Sequence, residues 1–176
     1  MKGNVPGLLD RLMDPRLHVQ NGVLPRMSID QLKDSVARDL EALLNTRLAV
    51  PVDTFAEYPE AKKSILNYGL IDFAGYCLSS SDERAAICAS LVAAVAAHEP
   101  RLTGVSAALE SEPGSVNRLH FVINGMLMLA SGTEAVNFNA VLQPSSLHYA
   151  ISRAARSTRP EHYPRNHGHQ PENPDR

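Results

Sequence analysis

The chain has 176 residues, 44% of them hydrophobic and 20% charged, enough for one domain whose core covers about two-thirds of the unfolded surface. Aromatic residues make up only 5% and tryptophan is absent, so packing falls to Leu, Val, Ile and Ala. A formal net charge of −2 with interspersed signs offers no electrostatic footprint for nucleic acid, which is excluded as an expected partner.

The opening MKGNVPGLLDRLMDPRL reaches Asp10 and Arg11 before any apolar run long enough for a secretory leader. No stretch offers the ~18 consecutive apolar residues that span a bilayer, since AAICASLVAAVAA stops at His98. Cys77 and Cys88 lack CxxC spacing and a paired histidine motif, and read as free thiols of a cytoplasmic protein. Residues 1–27 are expected to form an N-terminal arm in which Leu8 to Met13 is a short amphipathic turn, punctuated by Asn21-Gly22 and Pro25. A single domain follows over 28–152.

Its clearest helix is MSIDQLKDSVARDLEALLNTRL. Ser28 and Gln31 form a capping-box pattern, and Ile29, Leu32, Val36, Leu40 and Leu43 recur at helical spacing on one buried face. Lys33, Asp34, Arg38 and Glu41 mark the opposite face as solvated. YPEAKKSILNYGL predicts a short helix, with Pro59 at its first position and Asn67 to Gly69 at its end. Ser80 and Glu83 form a second capping box. The helix they open, to about Ala97, is apolar around nearly its whole circumference and is expected to be central.

Pro100 ends that helix by biasing Glu99 toward an extended conformation. The period then becomes two, with Thr103, Val105, Ala107 and Leu109 alternating with Leu102, Gly104, Ser106 and Ala108. After an EPGS turn, RLHFVINGMLML sets Leu119, Phe121, Ile123, Leu127 and Leu129 against His120, Val122, Asn124, Met126 and Met128, a strand expected to be largely covered on both faces. AVNFNAVL gives a third strand with Val136, Phe138, Ala140 and Leu142 inward, and LHYAI a fourth, at an edge. Helices first and an antiparallel meander of three to four strands after them predict an α+β fold. From 153 to 176 the chain carries four prolines and three histidines with little to bury, and is expected to be disordered.

Candidate chemistry is sparse. His162, His167 and His169 could gather a metal weakly, but no carboxylate or thiolate scaffold accompanies them, and His98 and His120 read as hydrogen-bonded structural residues. No metal and no cofactor is expected. Glycosidic hydrolysis needs paired carboxylates. Glu110 and Glu112 lie at the far end of the first strand from Glu99, and no GxSxG, P-loop or HExxH motif occurs. No enzymatic activity is expected. Glu99 and Arg101 are different: an extended backbone points them to one side, with Pro100 fixing the bend. They form either an internal pair that offsets the helix's negative end, or a rigid charged corner that receives a partner.

LLDRLMD, SVARDLEALLNTR, SILNYGL, HEPRL and EAVNFNAVL occur in register and in an order that resembles the TssE family of type VI secretion baseplate subunits. That family falls within the contractile-tail baseplate wedge proteins often labelled lysozyme-like. The resemblance runs from Leu8 to Ile151, and departs from the family in PRLHVQNGVLPR and in the His/Pro/Arg-rich tail. It implies a non-catalytic scaffold in a cytoplasmic baseplate beside TssF and TssG, with TssK and the spike hub nearby, that helps start the TssB/TssC sheath. It implies docking on neighbouring wedge subunits through Glu99, Pro100 and Arg101. Strand addition from the sheath would use an exposed edge, for which Leu147, His148, Tyr149, Ala150 and Ile151 are the candidates, since no charge or proline lies within them. Either the arm or the tail could cover that edge. The alternatives are a peptidoglycan hydrolase and a regulatory module that sequesters another protein.

Overall fold

Ser28 starts the first long helix. The computed structural model describes residues 4–17, 23, 25–51, 53–73, 75–77, 79–110, 120–143 and 148–153. In it the Ser28 hydroxyl accepts from the Gln31 N–H at 3.1 Å and the Gln31 side chain accepts from the Ser28 N–H at 2.8 Å, so the capping box is formed. The helix, α2, runs over Ile29–Asn45 and buries Leu32, Val36, Leu40, Leu43 and Leu44. Ile29, expected on that face, is 40% exposed, because it opens the helix ahead of the packed stripe that starts at Leu32.

Before it, α1 spans Leu8–Met13, a short helix where the sequence suggests an amphipathic turn. The Met27 N–H donates to the Asn4 carbonyl at 2.8 Å and joins the two ends of the arm. After α2 comes a single turn, α3 (Thr54–Glu57), pinned by buried Phe55. The helix expected in YPEAKKSILNYGL is instead two 3-10 turns, Ala61–Lys63 and Ile65–Asn67. Ser64 divides them: at ψ 176 it is extended, and its hydroxyl donates to the Ala61 carbonyl at 2.7 Å and accepts from the Leu66 N–H at 3.2 Å. A serine that serves its neighbours' backbone competes with helix continuation. Gly69 then takes φ +122, where a Cβ would lie 2.7 Å from the Thr46 carbonyl oxygen.

The next helix, α4, spans Ser81–His98. Only half of its expected capping box forms. Ser80 Oγ accepts from the Glu83 N–H, but the Glu83 carboxylate turns to the Cys77 N–H instead of returning to Ser80. The helix is not central. It buries Ile87, Leu91, Ala94 and Val95, and leaves Ala85, Ala86, Ala89, Ala93, Ala96 and Ala97 exposed. Alanine makes a helix read as apolar all round while carrying little surface that must be buried.

Four strands follow, β1 (Leu102–Glu110), β2 (His120–Leu129), β3 (Gly132–Gln143) and β4 (His148–Arg153), in an antiparallel sheet of order β1-β2-β3-β4. Leu102 and Val105 both face the core despite the period of two. Thr103 pairs with Met126 and Ser106 with Asn124, so β1 carries an extra residue there, with Gly104 at φ +59. One face of the sheet, including Phe121, Ile123, Leu127, Phe138, Ala140 and Tyr149, packs on α2 and α4. The other face is open: Met126 is 38% and Met128 53% exposed, contrary to the expectation that β2 is covered on both sides. No helix lies over it among the described residues, so the outward side chains meet solvent. The turn expected at EPGS, the turn expected at QPSS apart from Gln143, and the tail from 154 onward lie outside the described residues.

Candidate docking site at the helix-strand elbow

Glu99 ends α4 at φ −121 and ψ 77, with its N–H on the Val95 carbonyl at 2.8 Å, as a residue that precedes proline should. This brings a carboxylate that is only 3% exposed to the negative end of a helix. Arg101 answers both. Its Nε and its backbone N–H donate to Glu99 Oε1 at 2.7 and 3.1 Å, and its Nη2 donates to Glu99 Oε2.

The guanidinium reaches further. Nη2 also donates to Asp39 Oδ2, and Nη1 donates to Ser35 Oγ at 2.9 Å. The Ser35 hydroxyl in turn donates to Asp10 Oδ1 at 2.7 Å, where Arg38 Nη2 also donates, while Asp10 Oδ2 accepts from the Gly7 N–H at 2.9 Å. One polar network thus joins the arm, α2 and the elbow. Burial opposes the Arg101 charge, but the hydrogen bonds and attraction of Glu99, and then of Asp39, outweigh it and raise its pKa above the ordinary arginine range. Burial likewise works against the Asp10 carboxylate, yet bonds from Ser35, the Gly7 N–H and Arg38 hold its pKa below the ordinary value.

The sequence left the elbow either internal or partner-facing, and the geometry divides its residues. Glu99 is buried and Arg101 keeps a quarter of its side chain accessible, while Pro100 is exposed. A cleft of about 300 Å³ opens beside them, between Asp39 and Leu43 of α2, Tyr68 and the elbow. Asp10, Ser35, Asp39 and Tyr68 were not singled out from the sequence. Ser35 could have been: it sits on the buried stripe with Leu32 and Val36, is 2% exposed, and a polar residue on such a stripe needs a partner.

At the far margin of the sheet, β4 contains His148, Tyr149, Ala150 and Ile151, and Leu147 lies outside the described residues. Among the described residues its margin away from β3 is occupied by α2. The Tyr149 N–H donates to Asn45 Oδ1 at 2.7 Å, the Tyr149 carbonyl accepts from Asn45 Nδ2 at 2.9 Å, and the Ile151 N–H donates to Glu41 Oε2 at 3.1 Å. The face of α2 read as solvated is therefore engaged. Lys33 Nζ meets Glu134 Oε1 at 2.6 Å, Asp34 meets Arg153 Nε at 3.1 Å, and Arg38 holds Asp10. A long helix uses its polar side where a neighbouring element presents unpaired backbone.

His98 Nε2 lies 2.9 Å from the Asn67 carbonyl and its ring packs edge-on to Tyr68, as a structural histidine does. His120 Nδ1 lies 3.7 Å from Glu110 Oε2, and His162, His167 and His169 lie outside the described residues. Among the described residues no cluster of three or more His, Cys, Asp or Glu side chains could hold a metal ion, and no helix is long and apolar enough to cross a membrane.

No curated protein matches the chain. The family model described as baseplate wedge protein gp25 matches residues 30–131, a span that takes in α2, α4, the elbow and the β1–β2 hairpin. Since that is more than half of the sequence, the chain belongs to the gp25 family of baseplate wedge proteins, which are structural subunits.

Proposed function

We propose that this chain is a non-catalytic wedge subunit of a type VI secretion baseplate in the cytoplasm, which docks on TssF and TssG and helps start the TssB/TssC sheath. The match to the baseplate wedge family over residues 30–131 carries the reading. The elbow supports a docking role in a particular form. Buried Glu99 fixes the shape, and exposed Pro100 with the accessible flank of Arg101 meets the neighbour. A proline-stiffened corner loses little entropy on binding.

Sheath strands would add to the margin of β4 along Leu147 to Ile151. There the Asn45 amide and Glu41 carboxylate occupy the hydrogen-bonding positions that an incoming backbone takes over. Exchange of side-chain acceptors for carbonyls is close to neutral per bond, so register and flanking side chains would decide the partner.

Co-purification tests the reading. The chain produced together with TssF and TssG should be retained by them, and Pro100→Asp should lose retention while the chain still folds, with a modestly lower Tm from the lost proline. Wild-type chain that binds neither subunit would overturn the proposal. A cell-wall turnover assay adds an independent arm: activity in the wild type that disappears in Glu99→Gln would end the non-catalytic reading.

A further inference from the structure

The chemistry left over at the elbow is that of an acceptor. Arg101 directs its Nε, Nη1 and both Nη2 hydrogens to Glu99, Ser35 and Asp39, so four of its five side-chain N–H groups are spent inside the fold. Its neighbours retain capacity. Asp39 Oδ1 has only Arg38 Nε among the described residues, at 3.7 Å, beyond hydrogen-bond range. Asp39 is 29% exposed. The Tyr68 hydroxyl makes no hydrogen bond to a described residue.

Asp39 and Tyr68 both line the 300 Å³ cleft, together with Ala42, Leu43 and Pro100. The carboxylates of Asp10, Asp39 and Glu99 outnumber the guanidiniums of Arg38 and Arg101 in this network. Burial raises the Tyr68 pKa, and the charges of Asp39 and Glu99 raise it further, so the ring lies in the field of both carboxylates and stays neutral.

We infer that this cleft receives an arginine side chain from a neighbouring protein subunit. Its guanidinium meets the free oxygen of Asp39 and stacks beside Tyr68, and its aliphatic stem runs along Ala42, Leu43 and Pro100. An arginine suits the site better than a lysine. Its planar fork can meet a carboxylate edge and lie against a ring together, and it sheds water more readily than an ammonium. An acidic partner would meet unbalanced carboxylates and an arginine already engaged. Arg101, the elbow's most conspicuous cation, is therefore a holder of the site and not the group that recognises the partner.

The inference rests on the elbow being a docking surface, and its test separates the two. Isotope-labelled full-length chain is titrated with N-acetyl-arginine amide, with the neutral isostere N-acetyl-citrulline amide, and with acetate, and amide shifts are followed. The arginine derivative should move signals of Asp39, Ala42, Tyr68 and Arg101 with a Kd on the order of 10 mM, and the other two should not. Asp39→Asn should weaken it about fivefold, and Tyr68→Leu, which touches no bond of Arg101, about threefold. Equal shifts with the citrulline derivative, or unchanged affinity in both variants, overturns the arginine assignment even if TssF and TssG are still retained. Selective arginine binding without retention of those subunits leaves the cleft standing and overturns the baseplate partners instead.

Discussion

Arg101→Met is the sharpest probe of the elbow, because methionine keeps the unbranched stem of the side chain and removes the guanidinium with its charge and donors. The Glu99 side chain is 4% exposed and would lose its only ion-pair partner among the described residues, while remaining at the negative end of α4. Breaking a buried pair from one side costs about 3–5 kcal/mol. Arg101 is itself 25% exposed, so water can partly replace it and the lower end applies, about 3 kcal/mol. The unanswered helix terminus adds roughly 0.5 kcal/mol. For a domain of this size that lowers Tm by about 10 °C. Glu99→Gln should cost less, about 1–2 kcal/mol, since an amide still accepts from Arg101 and needs no counter-charge. The double variant should be less destabilised than the two costs added together, with a coupling of at least ~1.5 kcal/mol. Urea unfolding followed by far-ultraviolet circular dichroism suits a chain without tryptophan. A loss below ~1 kcal/mol for Arg101→Met would reduce the elbow to an ordinary exposed ion pair, and additive costs would refute the coupling.

Gly69→Ala should destabilise by about 3 kcal/mol, because its Cβ would press on the Thr46 carbonyl at 2.7 Å as well as adopt φ +122; Gly132→Ala, at φ +140 with nothing within 4 Å, should cost only about 1 kcal/mol in the same denaturation. Asp10 has a folded pKa below its ordinary 3.8, so its stabilising contribution is present above that value and is lost as pH falls through the lower folded pKa. Hydrogen-exchange protection of α1 should therefore fade below about pH 4, and in Asp10→Asn it should be weak at every pH. Asn45→Ala leaves the Tyr149 N–H and carbonyl without their partner and should cost about 1–2 kcal/mol, with faster exchange at Tyr149 as the local readout.

What could be read from the sequence was periodic or local. The Ser28-Gln31 cap, the inward sets of β2 from Phe121 onward and of β3, and the break at Pro100 each follow from a spacing of two to four residues, and each is present; Leu119 lies outside the described residues. The misreadings have identifiable causes. Composition stood in for burial in α4, where alanines look apolar yet sit in solvent. In YPEAKKSILNYGL the pattern favoured one helix, but the Ser64 hydroxyl satisfies the backbone on both of its sides and splits the segment. The elbow was found through its proline and charge pair. Its extension to Asp10, Ser35 and Asp39 was not, because those partners come from 25 to 66 residues away.

The same limit explains the polar face of α2, and geometry shows why that face fits where it does. Asn45 and Glu41 are four residues apart on the helix, a rise of about 6 Å, while Tyr149 and Ile151 are two apart on β4, about 6.6 Å. The two repeats are nearly commensurate. A helix lying antiparallel beside an edge strand can therefore offer successive side chains to successive outward amides, and Asn45 meets Tyr149 as Glu41 meets Ile151. About two and three turns beyond, Asp34 and Asp30 continue the row but take Arg153 by its side chain. A helix guarding a strand edge needs small polar acceptors at four-residue steps, the same pattern that a solvated face presents, so the two uses are indistinguishable until the strand is in place. The guard also makes the margin selective: an added strand must displace Asn45 and Glu41 in register, which a stray peptide gains nothing by doing.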